Sequence, residues 1–433
     1  MTDRAFPETT RDSGTEPRFY FRVLDDLLFV FDREREMAHA LNAPAARLFL
    51  SLPDAFTAPA ALGEAAALGP QDLHDCLAAW GTFGWTERDE AGRVRLKGHS
   101  PPDPDPPSPT GPAPGADETL IESGQVRLAE RSVAFRLLVG ESPTPIGAAG
   151  AVARDAEPAD ADMLASRLAS GRRMFGFFGG FLDPLPDHHP PVATIDLVVS
   201  QEGFLLRCGA RLLFSDQVVI AVGKARLWLL DLAYRDPRPS VFVHGAGLAT
   251  DEGSMVLAGV SGAGKSTLSA YLVTRGWRFA TDDSLALGFR QGETVVLPFP
   301  GAINIKPGSL ATLLPFHPQL AALPLIGEGE KRGRYLPVPL HLHLRTDGAE
   351  KRVRGFVFPR FEPGAPLRVE PLSAARALLE LMEAEFDLAE TAGAAELDAF
   401  FDTLERLPRY AIVYSNLAEM EAALRRLVAG ADA

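Results

Sequence analysis

SMVLAGVSGAGKSTLSAYLVTRGWRFATDDS, residues 254–284, is the stretch whose reading decides the fold. A short apolar run, Met255–Ala258, meets a glycine-rich turn, and Lys265–Arg275 then carries a helical pattern that stops at Gly276. Glycine just past a helix is ordinary C-terminal punctuation, because it enters left-handed backbone space without a steric clash. The turn Gly259-Val260-Ser261-Gly262-Ala263-Gly264-Lys265-Ser266 thus stands where a strand becomes a helix. Its glycines let the backbone wrap around phosphate oxygens, and the helix start adds oriented N–H groups and partial positive charge. In such a loop Lys265 neutralises the β- and γ-phosphates of a nucleoside triphosphate and Ser266 ligates Mg²⁺. The expected nucleotide-binding set is Gly259, Ser261, Gly262, Ala263, Gly264, Lys265, Ser266 and Thr267, with ATP and Mg²⁺ as cofactors. A merely flexible turn is the bland alternative, and it does not explain a strand and a helix both in register with the glycines.

The residues that follow are more informative still. A helix from Lys265 to Arg275 carries the chain about 16 Å away from the phosphates. The strand Trp277–Thr281 returns about 16 Å. Asp282 and Asp283 therefore arrive at a strand's carboxyl end, level with the loop, where ligands bind in open α/β sheets. Two adjacent carboxylates there can divide the work, one holding Mg²⁺ and the other orienting or deprotonating an acceptor hydroxyl. Neighbours in a strand point to opposite faces, so one of them looks at the γ-phosphate. Ser266 and Asp283 are the expected metal ligands, although adjacency does not decide which carboxylate is the base. Turn capping explains an Asp at this place but not its match to the helix-out, strand-back distance.

His244 lies fifteen residues before the loop, in a segment that reads as a strand hairpinning into Ser254–Ala258 through Thr250-Asp251-Glu252-Gly253. It joins Asp282, Asp283 and Lys265 in the expected catalytic set; a single His in a strand is otherwise structural.

Composition bounds the rest. A chain of 433 residues suggests two or three domains. A formal net charge of −14 disfavours nucleic-acid and anionic-membrane partners. Cys76 and Cys208 stand far apart without metal-ligand neighbours, so neither a zinc site nor a disulfide framework is indicated. No signal-like N-terminus and no uninterrupted 18-residue apolar stretch occurs, which reads as cytoplasmic.

The expected boundary is the proline-rich linker of residues 100–117, between a module of residues 1–99 and a domain of residues 118–433. In the module, Phe19–Phe31 reads as a hairpin around Asp25-Asp26, with helices at Ala43–Leu52, capped by Asn42, and at Pro70–Trp80. After the linker, β-like segments appear at Gln125–Leu128, Val133–Val139, Thr194–Val199, Phe204–Arg207, Leu212–Phe214 and Val218–Val222. Helices are expected at Ser373–Phe386 and Leu417–Val428.

His244-Gly245, the loop Gly259–Ser266 and the run Thr274–Asp283 together resemble the catalytic core of the HPr kinase/phosphorylase family and its HPr-kinase-related relatives. Downstream segments Pro298–Lys306, Lys331–Arg334 and Phe356–Arg360 look like the related-kinase branch, and the resemblance covers roughly His244 to Arg360. It implies an α/β fold, a P-loop HPr-kinase-like core with β-rich flanks, and a transferase that moves the γ-phosphate of ATP to a hydroxyl. It also makes Lys306, Lys331, Arg334 and Arg360 candidate contacts for phosphate or acceptor. The phosphoprotein-recognition loop of HPr kinase itself is not recognisable, which argues against HPr as the acceptor. Arg18–Arg88 resembles the PqqD-like peptide-binding domains, through its hairpin and the helix opening Leu41-Asn42-Ala43-Pro44-Ala45-Ala46, and implies a small α+β, winged-helix-like module. The expected partner is a precursor peptide or small protein; self-association as a homo-oligomer stays open. An ATP-binding regulatory or assembly protein and a small-molecule kinase are the rival readings, since the loop specifies phosphate binding and not the acceptor.

Overall fold

Two apolar hexapeptides, Phe19-Tyr20-Phe21-Arg22-Val23-Leu24 and Leu27-Leu28-Phe29-Val30-Phe31-Asp32, flank Asp25-Asp26 and fold back on each other as β1 (Phe19–Leu24) and β2 (Leu27–Asp32). The computed structural model that contains them describes residues 18–35, 37–53, 55–97, 118–128, 131–140, 163–172, 182–183, 191–299, 301–325, 332–344, 352–389 and 392–430. The proline-rich stretch 100–117 and Lys331 lie outside the described residues. The protein is mixed α/β and divides into two compact units, Met1–Asp103 with Gly393–Ala395, and Pro104–Ala392 with Glu396–Ala433.

In the first unit β3 (Met37–Leu41) pairs with the far edge of β2, a strand the weak alternation of its sequence does not announce. The helix Ala43–Ser51 starts on Asn42, whose side-chain oxygen accepts from the Ala45 N–H at 3.1 Å, the cap its residue type favours. Helices Pro59–Ala66 and Pro70–Thr82 each open on proline, whose missing N–H is no loss in a first turn. A hairpin of β4 (Thr86–Arg88) and β5 (Val94–Leu96) closes the unit. Leu28, Val30, Leu48, Phe49, Trp80 and Trp85 form its core. Beside that core the fully buried Asp32 accepts from Arg18 at 2.9 and 2.7 Å and from Trp85 Nε1 at 3.0 Å. Removing Arg18 would strand that carboxylate, at a cost of about 3–5 kcal/mol.

The second unit holds two larger sheets. The first runs β11-β10-β9-β7-β6-β8, built from β6 (Thr119–Leu128), β7 (Arg131–Val139), β8 (Leu182–Asp183), β9 (Thr194–Val199), β10 (Phe204–Cys208) and β11 (Arg211–Ser215). Val218–Val222, expected to be β, instead opens the helix Val218–Ala233. Its β-branched residues fit a strand, but Ala221, Val222, Ala225, Trp228 and Leu229 recur at helical spacing and are all buried, so packing overrides propensity.

The second sheet carries the glycine loop Gly259–Ser266. Its strands are β12 (Pro239–Thr250), β13 (Gly253–Ala258), β14 (Arg278–Thr281), β15 (Ser284–Arg290) and β16 (Glu293–Leu297). A separate pair, β17 (Ile303–Ile305) with β18 (Arg334–Leu336), stands off it. The remaining strands of the sheet are β19 (Val353–Phe361), β20 (Arg368–Pro371), β21 (Phe386–Leu388) and β22 (Arg409–Tyr414). The path is β16-β15-β12-β13-β19-β22-β20, with β14 and β21 also paired to β12. Within it β13–β19 and β19–β22 are parallel and the other pairs antiparallel. β12 serves different neighbours along its length: Pro239–His244 runs beside β15, and Gly245–Thr250 beside β13. The change falls at Gly245, where a Cβ would stand 2.6 Å from the Leu257 carbonyl oxygen, so only glycine fits.

The helix Lys265–Thr274 buries Leu268, Ala270, Leu272 and Val273 in a core it shares with Met420, Leu424 and Leu427 of the helix Leu417–Val428. The helix expected at Ser373–Phe386 spans Ala374–Glu383, and a further one, Ala394–Arg406, lies beyond it. Among the described residues no helix is long and apolar enough to cross a membrane.

Candidate functional site

Every residue of β13 is buried, so the chain enters the glycine loop from a fixed point. Gly264, the last loop residue before the helix, has φ 93°, and a Cβ there would meet the Tyr414 hydroxyl at 2.5 Å. Both conformation and space thus require glycine. Lys265 is only 6% exposed, and its ammonium donates to the carbonyls of Gly259 and Val260. Burial lowers its pKa, opposed by Asp282 and Asp283. A second cation reaches the loop from β17's end, where Lys306 donates to Ser261 Oγ at 2.9 Å. The turn after Lys306 is tied to the same helix, since Thr267 Oγ1 and Ser309 Oγ are 2.6 Å apart.

The adjacent carboxylates separate. Asp282 is 7% exposed, and burial pushes it up to about 7, with the Ser266 side chain pulling the other way and Asp283 adding to the rise. The nearby Ser266 and Ser269 hydroxyls favour its charged form, while its Oδ1 is buried without a hydrogen-bond partner. An ionised oxygen left so is costly unless a cation completes it. A serine hydroxyl and a carboxylate are the hard oxygen donors that Mg²⁺ takes, so Ser266 with Asp282 fits that ion. Asp283, expected at the metal, is engaged by other side chains. Its Oδ1 lies 3.2 Å from His244 Nδ1, and its Oδ2 accepts from Arg226, which also donates to Ser284 Oγ at 3.3 Å. The Asp283 side chain keeps 46% of its surface exposed, so it is held but reachable. The register explains the His244 contact: His244 pairs with Ser284, and the Gly245 N–H donates to the Asp283 carbonyl at 3.2 Å.

The other expected basic residues divide. Arg360 binds Glu380 at 2.9 Å, and Arg334 donates to the Leu323 carbonyl. Sequence reasoning missed three residues at the site. Arg226 comes from the helix read as a strand. Tyr335, on β18, feels the charges of Arg226 and Asp283 while burial raises its pKa. Glu385 holds φ 59°, its backbone carbonyl accepts from the His244 N–H at 3.4 Å, and its side-chain charge acts on Lys265. A non-glycine residue in that conformation costs of order 1 kcal/mol and merits attention at a site. Position in sequence gives no signal for any of them.

A cavity of about 190 Å³, lined by Thr274, Phe316, His317 and Leu342 among others, lies at the far end of the Lys265–Thr274 helix. Its one imidazole is engaged, His317 Nε2 lying 2.8 Å from the Ala270 carbonyl.

No family model matches the chain, and no curated protein matches it. Among solved structures, the Hpr(Ser) kinase/phosphatase from Coxiella burnetii is similar at 14% identity and a TM-score of 0.22, over 43% of this chain and 94% of that one. A likeness of that size adds nothing to what the site's own geometry supports.

Proposed function

We propose that this protein is an ATP- and Mg²⁺-dependent kinase that transfers the γ-phosphoryl group to a Ser or Thr hydroxyl of a precursor peptide or small protein. The observation that carries the proposal is the division of two neighbouring carboxylates, one buried beside the loop's serine with an oxygen left unpaired, the other exposed and oriented by His244 and Arg226. Binding alone calls for the first; the second suits an acceptor.

Lys265 and Lys306 would supply positive charge to the phosphates, and Ser266 with Asp282 would hold the metal. Bound there, Mg²⁺ would neutralise charge on the phosphoryl oxygens. Asp283 accepts the proton of the acceptor hydroxyl, whose oxygen bonds to Pγ as the bond from Pγ to the β,γ-bridging oxygen breaks. ADP departs with that electron pair. His244 and Arg226 hold Asp283 in place for the proton.

The first unit is proposed to act as a PqqD-like, winged-helix-like holder of the peptide. Supporting this, β1 is an edge strand with Phe21 37% exposed, and an extended peptide can join such an edge by main-chain hydrogen bonds. Tethering acceptor and catalytic site on one chain raises effective concentration to the millimolar range.

ADP release by the full chain, measured with and without Ser/Thr peptides and paired with detection of phosphopeptide, tests the reading. Acceptor-dependent ADP release matched by phosphopeptide is expected. Tight ATP binding with no acceptor-dependent release from any peptide would point to a regulatory ATP-binding protein or a small-molecule kinase and end the peptide-kinase reading.

A further inference from the structure

The nucleotide reading assigns phosphates and metal but leaves open where the base of the nucleotide lies. One side of the loop is already filled with charge: β12, β14 and β15 bring His244, Asp282 and Asp283 there. On the other side β13 is followed by β19 and β22, whose carboxyl ends lie in register, Phe361 opposite Tyr414. Parallel neighbours in register present their side chains to one face. Tyr414 is buried beneath the loop at 1% exposure, its hydroxyl 3.5 Å from the Gly264 carbonyl. Phe361 is 49% exposed, although its Cβ lies only 3.4 Å from the place of a Cβ on Gly264. The two rings meet edge to face, with centroids 5.7 Å apart and planes at 69°.

An aromatic ring half in water beside a phosphate loop is a surface waiting for a flat partner. Its floor is rigid: the Glu362 N–H donates to the Tyr414 carbonyl at 3.0 Å, and Ser415 Oγ to the Ala365 carbonyl at 2.7 Å. Tyr414 supports the ring from behind, so its open face cannot turn inward without displacing a packed neighbour.

We infer that Phe361 is the platform on which the base of the bound nucleotide stacks, across the loop from Asp282 and Asp283. The inference rests on the nucleotide reading of the loop. Phosphates lie in the loop, the reacting end points toward β12 and β14, and the base lies over β19 and β22. Stacking on a ring is tolerant of base identity, so this contact supplies affinity more than selectivity.

The test compares ATP with inorganic tripolyphosphate, which carries the phosphates and no base, each titrated with Mg²⁺ into the full chain by calorimetry. Phe361→Ala should weaken ATP about 5- to 100-fold, the range for loss of one base–aromatic stack, and leave tripolyphosphate within about twofold. Phe361→Trp should keep ATP affinity, and its added indole emission should respond to ATP but not to tripolyphosphate. If wild type binds both ligands and Phe361→Ala binds ATP as tightly as wild type, the platform is wrong while the loop assignment stands. Equal weakening of both ligands would make the ring a prop for the loop and would also overturn the platform. If wild type binds neither, the nucleotide reading falls and takes the platform with it.

Discussion

The glycine loop is flanked by two strand ends, each of which sends neighbouring side chains to different sides. Past β14, Asp282 turns toward the loop and is buried while Asp283 turns away to Arg226 and His244. At the end of β19, Phe361 lies against the loop's last glycine while Arg360 turns away to Glu380. At both ends neighbouring side chains part: the bend between β14 and β15 separates the two Asp side chains, and the alternation of an extended strand separates Arg360 from Phe361. The difference is electrostatic. The β14 side keeps a buried, unsatisfied oxygen and an exposed, oriented carboxylate; the β19 side keeps an aromatic ring and satisfies its charges among themselves. The first arrangement is unfavourable to the empty fold and useful to a cation, and the second is stable without a ligand.

The comparison breaks most sharply at Asp283. Replacing it by Asn keeps size and removes the proton acceptor, so transfer to a peptide should fall about 10²- to 10⁴-fold with ATP affinity retained. Single-turnover phosphopeptide formation beside an ATP titration checks this, and unchanged turnover would leave the acceptor side without a base.

Asp282→Asn is expected to behave in the opposite way. Nucleotide affinity in Mg²⁺ should drop about 10- to 100-fold, the worth of one or two strong charge-assisted contacts. The ligand-free protein should not lose stability, because a buried carboxylate oxygen without a hydrogen-bond partner has been removed. Thermal unfolding with and without ADP and Mg²⁺ reads both at once. A large fall in the ligand-free melting temperature would show that the carboxylate is structural.

How much of this was legible in the sequence follows from what each feature depends on. The loop, the helix behind it and the returning strand are local, set by glycine positions and by 3.6- and 2-residue periods, and the Asp282-Asp283 arrival followed from chain geometry alone. The side each Asp faces was not legible, because it depends on β12, whose partner changes at Gly245. Arg226 was hidden by the run Val218–Val222, whose β-branched residues mimic a strand until their burial pattern is known. The helix Ala394–Arg406 is a different kind of miss: Leu397, Phe400, Phe401 and Leu404 show helical spacing and could have been read. Phe361 lies next to Arg360, the last residue of a segment singled out for its basic residue, and nothing local marks its ring as exposed.

Arg226 sharpens the comparison at intermediate size. Its bonds to Asp283 and Ser284 orient a carboxylate without touching the phosphate loop. Arg226→Ala should therefore lower kcat about tenfold or more and leave KM for ATP unchanged, as one charge-assisted hydrogen bond is worth about 1.5–3 kcal/mol. Arg226→Lys, which keeps charge but not the planar fork, should recover part of the loss. A rise in KM for ATP with kcat intact would place Arg226 on the nucleotide and erase the separation between the two sides.

The smallest effect is expected at Arg360, and it separates two neighbours on one strand. Basic residues near a phosphate loop invite a phosphate role, yet the Arg360 guanidinium meets Glu380 Oε1 at 2.9 Å while Arg376 meets the same oxygen at 2.7 Å. Glu380 is buried, so losing both arginines would strand its charge; losing Arg360 alone leaves Arg376 to compensate. The Arg360 side chain is 53% exposed, which limits its pair to about 0–1 kcal/mol. Arg360→Ala should thus lower the melting temperature by about 1–4 °C and leave ATP affinity within about twofold. Measured beside Phe361→Ala, it asks whether the β19 side binds through charge or through a ring. A tenfold loss of ATP affinity in Arg360→Ala would mean that the guanidinium leaves Glu380 when nucleotide arrives, and both strand ends would then have to be read as electrostatic.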